Sequence, residues 1–415
     1  MSESPSLDAS MLAHVRNRAV VAGMTYGEDQ RAVLSRRGFE EARAEIASWP
    51  GYRPTPLLAL EGLAARIGVA RVLYKDESRR FGLASFKALG GAYAILRLLQ
   101  ARLEQAGLPA ISSTELMAGA QRDIVARVTV ASATDGNHGL SVAWGAGLFG
   151  CRCKIFLHEK VSPRRERRIA ELGAEIVRVP GSYDDSLRAC ARQAEANGWA
   201  LVADSDAGGG DPSAPKQVMQ GYTILAQELL DQAGSIPTHV FVPVGVGGLA
   251  AAVAGHFWAT LGARRPRMMA VEPRRADCLF QAIAAGALRP LDGPVDSFMA
   301  GLASGEVSPA AWPILRYAID DVLALPDAAA AEAMRLLAAG GDGDPALVAG
   351  ESGAATYGAL CAIATSPDLM AELRLTEESV VVLIGSEGAT DPKIYRRVVG
   401  RAATSVRAQG APGSS

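Results

Sequence analysis

The sequence predicts an α/β fold with mostly parallel sheets. Short runs rich in β-branched residues recur along the chain, and helical stretches lie between most of them, as is typical of parallel strands covered by helices on both faces. No segment of 20 to 50 residues repeats, which argues against a solenoid. The runs begin at residues 72, 128, 154, 176, 240, 268 and 380, and the helical stretches cover 84–103, 163–172, 184–196 and 327–338.

The first run, V-L-Y-K at 72, leads through a polar loop to a helix rich in alanine, leucine and glycine. Lys87 lies at the threshold of this helix, between Phe86 and Ala88. Apolar neighbours and the positive end of the helix dipole both favour a neutral, nucleophilic amine. A solvated surface lysine is the alternative, since most lysines are exposed. Lys87 is therefore a candidate nucleophile that needs support from other motifs.

The second run, V-T-V-A-S-A at 128, is followed by the turn T-D-G-N-H-G and a helix. Gly136 permits a tight turn, and successive N–H groups at such a junction can bind a carboxylate. Asp135 and Asn137 would project into the cleft, where Asn137 could donate to a phenolate oxygen. An N-cap role for Asp135 stays open. His138 has no neighbour at metal-ligand spacing, so we interpret it as a structural hydrogen-bonding residue.

The run at 240, V-F-V-P-V, ends in the turn G-V-G-G. Gly245, Gly247 and Gly248 turn a buried strand into a helix, and their N–H groups can hold a phosphate. The same pattern approximates a dinucleotide fingerprint, and Glu272 stands where an acid for a ribose hydroxyl is expected. A nicotinamide-dependent oxidoreductase therefore stays open, although it gives the Lys87 loop no role.

The last run, V-V-V-L-I-G-S at 380, ends in Ser386. Side chains at the carboxyl ends of parallel strands face the ligand crevice. The hydroxyl of Ser386 could therefore bind a ring nitrogen, or it could cap the next turn.

Composition argues against several other classes of protein. Charged residues make up 21% and the net charge is -2, which offers no basic excess for nucleic acid. The five cysteines are too irregularly spaced for a disulfide framework or a zinc site, so we expect reduced thiols, no metal and a cytoplasmic protein. The N-terminal residues lack the apolar core of an export signal. The uncharged stretch 232–263 could span a bilayer by length, but its prolines and glycines predict a strand, a turn and a helix, so no membrane is expected.

Together the motifs resemble the fold type II, or tryptophan-synthase-β, family of pyridoxal-phosphate enzymes. Within that family they are closer to the diaminopropionate ammonia-lyases than to serine or threonine dehydratases. The resemblance covers roughly residues 51–398 and rests on Y-R-P-T-P-L at 52, K-D-E-S-R-R-F-G-L at 75, S-F-K-A-L-G-G-A-Y-A at 85, A-T-D-G-N-H-G at 133, V-M-Q-G-Y at 218, V-E-P-R-R-A-D-C at 271, M-A-G-L-A-S-G-E at 299, G-E-S-G-A at 350 and S-E-G-A-T-D at 386.

The resemblance implies roles for individual residues. Lys87, next to Phe86, would carry pyridoxal phosphate as a Schiff base, Asn137 would contact its phenolate oxygen, and Ser386 its pyridine nitrogen. Four residues of the glycine turn would hold its phosphate: Gly245, Val246, Gly247 and Gly248. The substrate carboxylate would be received by Thr134, Asp135, Gly136 and His138.

Asp135 is the residue expected to discriminate between substrates. Dehydratases usually carry a small hydroxyl residue or glycine there, whereas a carboxylate would pair with a cationic β-group. The family's aspartate is thought to take the α-proton of the D-isomer and the lysine that of the L-isomer. Asp204 matches a second acidic residue that faces the substrate. The implied reaction is the elimination of 2,3-diaminopropionate, D or L, to pyruvate and two ammonia.

Other functions stay open: a dehydratase of serine, threonine or another 3-hydroxy amino acid, the nicotinamide-dependent oxidoreductase, and a non-catalytic binding protein of the same fold.

The resemblance further implies a homodimer of chains with two three-layer α/β/α domains. Residues 1–86 and 207–415 would form the larger cofactor domain, and 87–206 a smaller inserted one. Residues 403–415 are expected to be a disordered tail. After Asp204 the family's aromatic residue is missing, which leaves a modified diamino acid open as substrate.

Overall fold

A computed structural model of the chain describes residues 7–21, 23–134, 136–207 and 212–409. The chain divides into two compact units. Unit 1 comprises Met1–Arg31, Pro54–Ser85 and Leu225–Ser415, as far as these are described, and unit 2 comprises Ala32–Arg53 and Phe86–Ile224. Each sheet of the protein lies within one of these units.

Unit 1 contains a seven-stranded sheet in the order β1-β10-β9-β8-β11-β3-β2. Its five central strands are parallel, and the two edge strands pair antiparallel to their neighbours. Unit 2 contains a parallel sheet in the order β6-β5-β4-β7. The strands are β1 (Ala13–Arg16), β2 (Leu57–Ala59), β3 (Arg71–Asp76), β4 (Thr129–Ala133), β5 (Arg152–His158), β6 (Glu175–Val179), β7 (Ala200–Leu201), β8 (His239–Pro243), β9 (Arg267–Pro273), β10 (Asp321–Leu325) and β11 (Val380–Gly385).

The α-helices of the described residues mostly alternate with these strands. They are α1 (Glu28–Arg31), α2 (Arg36–Ala47), α3 (Glu61–Ile67), α4 (Lys87–Gln105), α5 (Ser113–Met117), α6 (Arg122–Val125), α7 (Asn137–Phe149), α8 (Pro163–Ala170), α9 (Tyr183–Asn197), α10 (Ser213–Gln232), α11 (Gly248–Leu261), α12 (Cys278–Ala285), α13 (Trp312–Ala318), α14 (Asp327–Ala339), α15 (Ala355–Ile363), α16 (Pro367–Glu372), α17 (Pro392–Val399) and α18 (Ala403–Gln409).

Local sequence explains several helix boundaries. Ser162 caps α8, and Pro163 occupies its first turn, where the missing N–H of proline costs nothing. Ser182 and Asp185 form a capping box at the start of α9. Gly198 ends α9 in the left-handed conformation, with φ 67°, which glycine adopts without strain.

The core of unit 1 lies between its central strands and helices α14 and α15. Phe241, Leu323 and Leu383 come from three strands, and Leu337 and Leu360 from the helices, and all are essentially inaccessible to solvent. Central parallel strands are covered on both faces, which explains their continuous apolar sequence.

The order of the strands places several chemically useful segments at one edge of the sheet of unit 1. β11 pairs with β8, Leu383 opposite Phe241, and with β3, Gly385 opposite Asp76. The carboxyl ends of parallel neighbours leave a sheet at the same edge. The glycine turn after β8 and Ser386 after β11 therefore begin close to each other.

The α/β fold class is confirmed, and each of the seven predicted runs forms a strand. The uncharged stretch 232–263 contains β8, the glycine turn and α11. Across the described ranges, none of the helices combines the length and the apolar character that a bilayer crossing needs. The tail differs from expectation, because α18 forms over its first residues and buries Val406 in the core of unit 1. Residues 410–415 lie outside the described residues.

Candidate active site

Lys87 and Asp204 form an ion pair within unit 2. Lys87 is the first residue of α4, and its Nζ donates to Asp204 Oδ2 at 2.6 Å. Both side chains are 19% exposed, so the pair is partly shielded but open to a small molecule. Burial alone would raise the pKa of Asp204, but the positive charge of Lys87 and its hydrogen bond hold that pKa well below its usual range. The site therefore contains a permanent carboxylate beside an amine.

His138 is the third member of this cluster. It lies in the first turn of α7, and its Nε2 is 2.8 Å from the carbonyl oxygen of Val202. Its Nδ1 lies 3.8 Å from Asp204 Oδ2 and has no hydrogen-bond partner among the described residues. Burial lowers the pKa of His138. The ring is therefore neutral at physiological pH, which agrees with the prediction of a structural hydrogen bond but adds an unpaired nitrogen.

The turn that precedes α7 is organised by Thr134. Its Oγ1 accepts hydrogen bonds from the N–H groups of Gly136 and Gly139, each at 3.1 Å. These two N–H groups are used within the turn, so fewer backbone N–H groups remain to bind a carboxylate than the glycine pattern suggests. Asn137 begins α7. Asp135, the predicted discriminating residue, lies outside the described residues.

Sequence reasoning assigned no role to Tyr222, which packs next to this cluster. Its ring meets that of Phe86 edge-on, with centroids 4.7 Å apart. Gly90 makes room for it, because a Cβ there would lie 2.4 Å from Tyr222 Cε1. Burial, and then the charge of Asp204, raise the pKa of Tyr222 well above its ordinary value. The buried hydroxyl has no partner among the described residues, a tertiary feature with no signature in the sequence.

In unit 1 the glycine turn after β8 forms the N-terminus of α11. Gly247 is the N-cap, has φ 94° and offers no side-chain cap to the helix. A Cβ on it would lie 2.6 Å from Leu315 Cδ1. The first N–H groups of any α-helix have no partner inside the helix, and here no cap side chain covers them. An anion such as phosphate fits this position.

Ser386 follows β11 and is 2% exposed. Its neighbour Glu387 accepts a hydrogen bond from the N–H of Ser352 through Oε1 at 3.2 Å. The hydroxyl of Ser352 is buried and unpartnered among the described residues. Sequence reasoning included Ser352 in a motif but gave it no role.

Glu272 is not available for a ribose. Its two carboxyl oxygens accept the N–H groups of Leu279 and Phe280 at 2.9 and 2.8 Å, and the side chain is completely buried. Glu272 thus serves the start of α12. The acid that supported a nicotinamide-dependent oxidoreductase in the sequence therefore has a structural role instead.

The polar loop before Lys87 is fixed by a network of buried charges that sequence reasoning missed. Glu228 accepts hydrogen bonds from Lys75 at 2.7 Å and from Arg80 at 2.7 and 2.8 Å. Arg80 also binds Glu77 through two of its nitrogens, both at 2.8 Å. The two cations balance the two anions, so the motif K-D-E-S-R-R is largely structural.

Residues of each unit fit pyridoxal phosphate. Unit 2 provides an amine beside a carboxylate, and unit 1 a helix N-terminus without a side-chain cap. Each unit also has a buried hydroxyl group with no partner among the described residues, Tyr222 in unit 2 and Ser352 in unit 1. Comparison with protein families matches residues 48–387 to the pyridoxal-phosphate dependent enzymes. The chain belongs to this family. Pyridoxal phosphate is therefore the cofactor, as predicted, and the nicotinamide-dependent reading is wrong.

Within the family the chain is similar to diaminopropionate ammonia-lyases. It is 38% identical to that of Escherichia coli K12 over 372 residues, which cover 87% of this chain and 92% of the relative. The solved structure of the holo enzyme from Escherichia coli matches 96% of this chain and 98% of its own, with 36% identity and a TM-score of 0.85. A second structure of that enzyme, in complex with D-serine, matches 94% and 96% with 37% identity and a TM-score of 0.84.

These comparisons confirm the fold type II resemblance and the assignment to the lyases of this family. The individual site residues stay predictions. The structure brings Lys87, Asp204 and His138 together within unit 2, and places Gly247 and Ser386 at one sheet edge in unit 1.

Proposed function

We propose that the protein eliminates ammonia from 2,3-diaminopropionate and yields pyruvate and two ammonia. The observation that carries this proposal is the pair of Lys87 and Asp204, which provides a proton-transferring amine beside a carboxylate of lowered pKa. A permanent anion in the substrate region favours a substrate with a second ammonium over one with a hydroxyl. The similarity to diaminopropionate ammonia-lyases supports the same conclusion.

The bound cofactor supplies an electron sink for the charge that develops at Cα. The protein's residues hold and orient it. We propose that Lys87 binds its carbonyl carbon beside Phe86, that Asn137 contacts its phenolate oxygen, and that Ser386 donates to its ring nitrogen. Its phosphate is assigned to the N–H groups at the start of α11, from Gly245, Val246, Gly247 and Gly248.

Proton transfer is assigned to two residues according to the stereochemistry of the substrate. Lys87 Nζ takes the Cα proton of the L-isomer, because its amine is close to a permanent anion that stabilises the ammonium it becomes. Asp135 takes that of the D-isomer, an assignment that rests on the family resemblance. The α-carboxylate is placed at the start of α7, next to Thr134, Gly136 and His138.

The proposed function is tested by pyruvate release from D- and L-2,3-diaminopropionate and from D- and L-serine, with the purified, cofactor-loaded protein. Lys87→Ala should abolish release. Lys154→Ala is the matched control, because Lys154 is also partly buried in unit 2 and also pairs with an acid, Glu175, at 2.5 Å, away from this cluster. The control should retain the wild-type rate.

Turnover of serine without turnover of diaminopropionate would overturn the proposal and identify a dehydratase. Binding of serine alone would not decide the question, since the relative from Escherichia coli was solved in complex with D-serine. No pyruvate release from any of these substrates, with the cofactor bound, would indicate a modified diamino acid as the true substrate.

We also propose a cytoplasmic homodimer. All five cysteines are unpaired, which agrees with a reducing compartment. The dimer rests on the family resemblance. Light scattering coupled to gel filtration should give twice the chain mass of 43.2 kDa, and a mass near that of one chain would refute it.

A further inference from the structure

The unpaired nitrogen of His138 has a defined chemical character. Val202 presents a carbonyl oxygen, which can only accept, so the hydrogen of the imidazole must reside on Nε2. In the neutral ring Nδ1 then carries a lone pair and no hydrogen. The tautomer is thus fixed by the backbone at Val202.

This lone pair faces another acceptor. Nδ1 lies 3.8 Å from Asp204 Oδ2, and neither atom can donate to the other. A buried acceptor without a donor is costly, and native structures rarely keep one without a functional reason. Asp204 Oδ2 accepts from Lys87 in the structure, so among the described residues Nδ1 is the acceptor of this pair that still lacks a donor.

The geometry also defines the donor. A nitrogen at the usual hydrogen-bond distance of about 2.9 Å from one acceptor can lie at the same distance from the other, since they are 3.8 Å apart. An ammonium has three hydrogens and can bind both at once, whereas a hydroxyl has one hydrogen and can bind only one of them. The positive charge of an ammonium also suits the permanent anion of Asp204.

We propose that Asp204 and His138 together bind the β-ammonium group of the substrate and thereby select amino over hydroxyl substrates. The inference rests on the proposed function, in which the Lys87 amine takes the Cα proton and therefore begins as a neutral base beside Asp204. The substrate's ammonium is then the charged partner of Asp204 Oδ2, the atom that lies 2.6 Å from Lys87 Nζ and 3.8 Å from His138 Nδ1 in the structure.

Holding the β-nitrogen as an ammonium also serves the elimination. The Cα–H bond breaks and its proton goes to a base, the electron pair forms the Cα–Cβ double bond, and the Cβ–N bond breaks with its pair on nitrogen. Nitrogen that starts as an ammonium leaves as neutral ammonia and needs no further proton. His138 acts here as a positioning residue, since it orients the leaving group through a hydrogen bond.

The test compares two ligands that bind without reacting because they have no Cα hydrogen: 2-methyl-2,3-diaminopropionate and 2-methylserine. Their dissociation constants are measured by calorimetry on the cofactor-loaded protein. His138→Gln keeps a donor for the carbonyl of Val202 and removes the acceptor at Nδ1. We expect it to weaken the diamino ligand about 10- to 100-fold and 2-methylserine far less, because a charged hydrogen bond is lost in one case only.

A matched control exists in unit 1. His239 is equally buried, and its Nε2 also bonds a carbonyl oxygen, that of Leu373 at 3.0 Å. Its Nδ1, however, is already bonded to the hydroxyl of Thr238 at 2.8 Å. His239→Gln should leave the ratio of the two dissociation constants unchanged. His138→Asn places an amide oxygen near the position of Nδ1 and should restore part of the preference.

A second readout needs no variant. In protein labelled with ¹⁵N-histidine, the His138 Nδ1 resonance should move when the diamino ligand binds and stay when 2-methylserine binds. Equal weakening of both ligands by His138→Gln, or equal shifts of the resonance, would overturn the inference. If diaminopropionate is not turned over but the His138-dependent preference is found, the proposed function fails and the ammonium site stands.

Discussion

Replacing Glu228 with glutamine should destabilise unit 1 more than any surface charge substitution. A single oxygen of this carboxylate, Glu228 Oε2, accepts three hydrogen bonds: from Lys75 at 2.7 Å, from Arg80 at 2.8 Å and from the N–H of Thr55 at 3.1 Å. Lys75, Arg80 and Glu228 are each at most 4% exposed. The neutral amide leaves one buried positive charge uncompensated, which typically costs about 3–5 kcal/mol of unfolding free energy.

The measurement is urea unfolding followed by far-ultraviolet circular dichroism, with Asp342→Asn as the control. Asp342 pairs with Arg66 at 2.9 Å, but the two side chains are 60% and 50% exposed, so its loss should cost at most about 1 kcal/mol. The double variant Lys75→Met, Glu228→Leu removes one charge of each sign and should recover more than half of the loss.

The pH dependence has a defined sign. Burial would raise the pKa of Glu228, but Arg80 and Lys75 lower it below the ordinary value of 4.5. The stability from Glu228 is therefore present above pH 4.5 and is lost as the pH falls through the lower pKa of the folded state.

Two results would refute the argument that the network stabilises the fold by balancing charge. One is a loss of unfolding free energy in Glu228→Gln no larger than that in Asp342→Asn. The other is a loss in the double variant as large as the sum of the losses in the single variants.

Two further substitutions test the packing around the site. Gly247→Ala should lower cofactor occupancy, measured by absorbance, and should lower the unfolding free energy by more than about 1–3 kcal/mol, because φ is 94° and the new Cβ would lie 2.6 Å from Leu315 Cδ1. Gly150→Ala is the control for backbone strain alone, since φ is 84° and a Cβ there would meet no atom within 4 Å. Equal losses for the two variants would show that the contact with Leu315 adds nothing. Tyr222→Phe removes a buried hydroxyl that has no partner among the described residues and should change the unfolding free energy by less than about 1 kcal/mol. Tyr74→Phe breaks a hydrogen bond of 3.2 Å to the carbonyl oxygen of Gly353 and should cost about 1 kcal/mol. A larger loss for Tyr222→Phe would mean that its hydroxyl has a partner.

The central strands could be predicted because burial on both faces gives continuous apolar runs, as in β8 and β11. The strands that the sequence did not reveal are short or atypical. β2 has three residues and β7 has two, and β10 reads D-V-L-A-L, with a single β-branched residue. Their conformation comes from pairing with neighbours, which is a tertiary effect.

The candidate site divides in the same way. Lys87 and the glycine turn are visible in the sequence because their chemistry depends on residue type at a strand–helix junction. The neighbours of His138 and Tyr222 are not visible, because they are distant in sequence: Val202 and Asp204 follow β7, which pairs with β4, and Gly90 of α4 meets Tyr222 of α10. Sequence therefore predicts which groups react, and packing determines which polar groups are left without a hydrogen-bond partner and can bind a ligand.

Glu272 provides a case in which two physical effects oppose each other. Complete burial raises its pKa and the N–H groups of Leu279 and Phe280 lower it by favouring the ionised form, and the net pKa is about 8. This pKa makes the carboxyl neutral at pH 7. In the unfolded chain it ionises near 4.5, so unfolding then releases a proton between these two values.

The sign of the stability change follows from that proton. The contribution of neutral Glu272 is fully present below pH 4.5 and is lost as the pH rises to about 8, at about 1.4 kcal/mol for each pH unit. Glu272→Gln cannot ionise, so the difference in unfolding free energy between variant and wild type should shift in favour of the variant across this range. Urea unfolding at pH 5.5 and 8 measures it. A constant difference would mean that the two N–H groups and the start of α12 keep Glu272 ionised despite its burial.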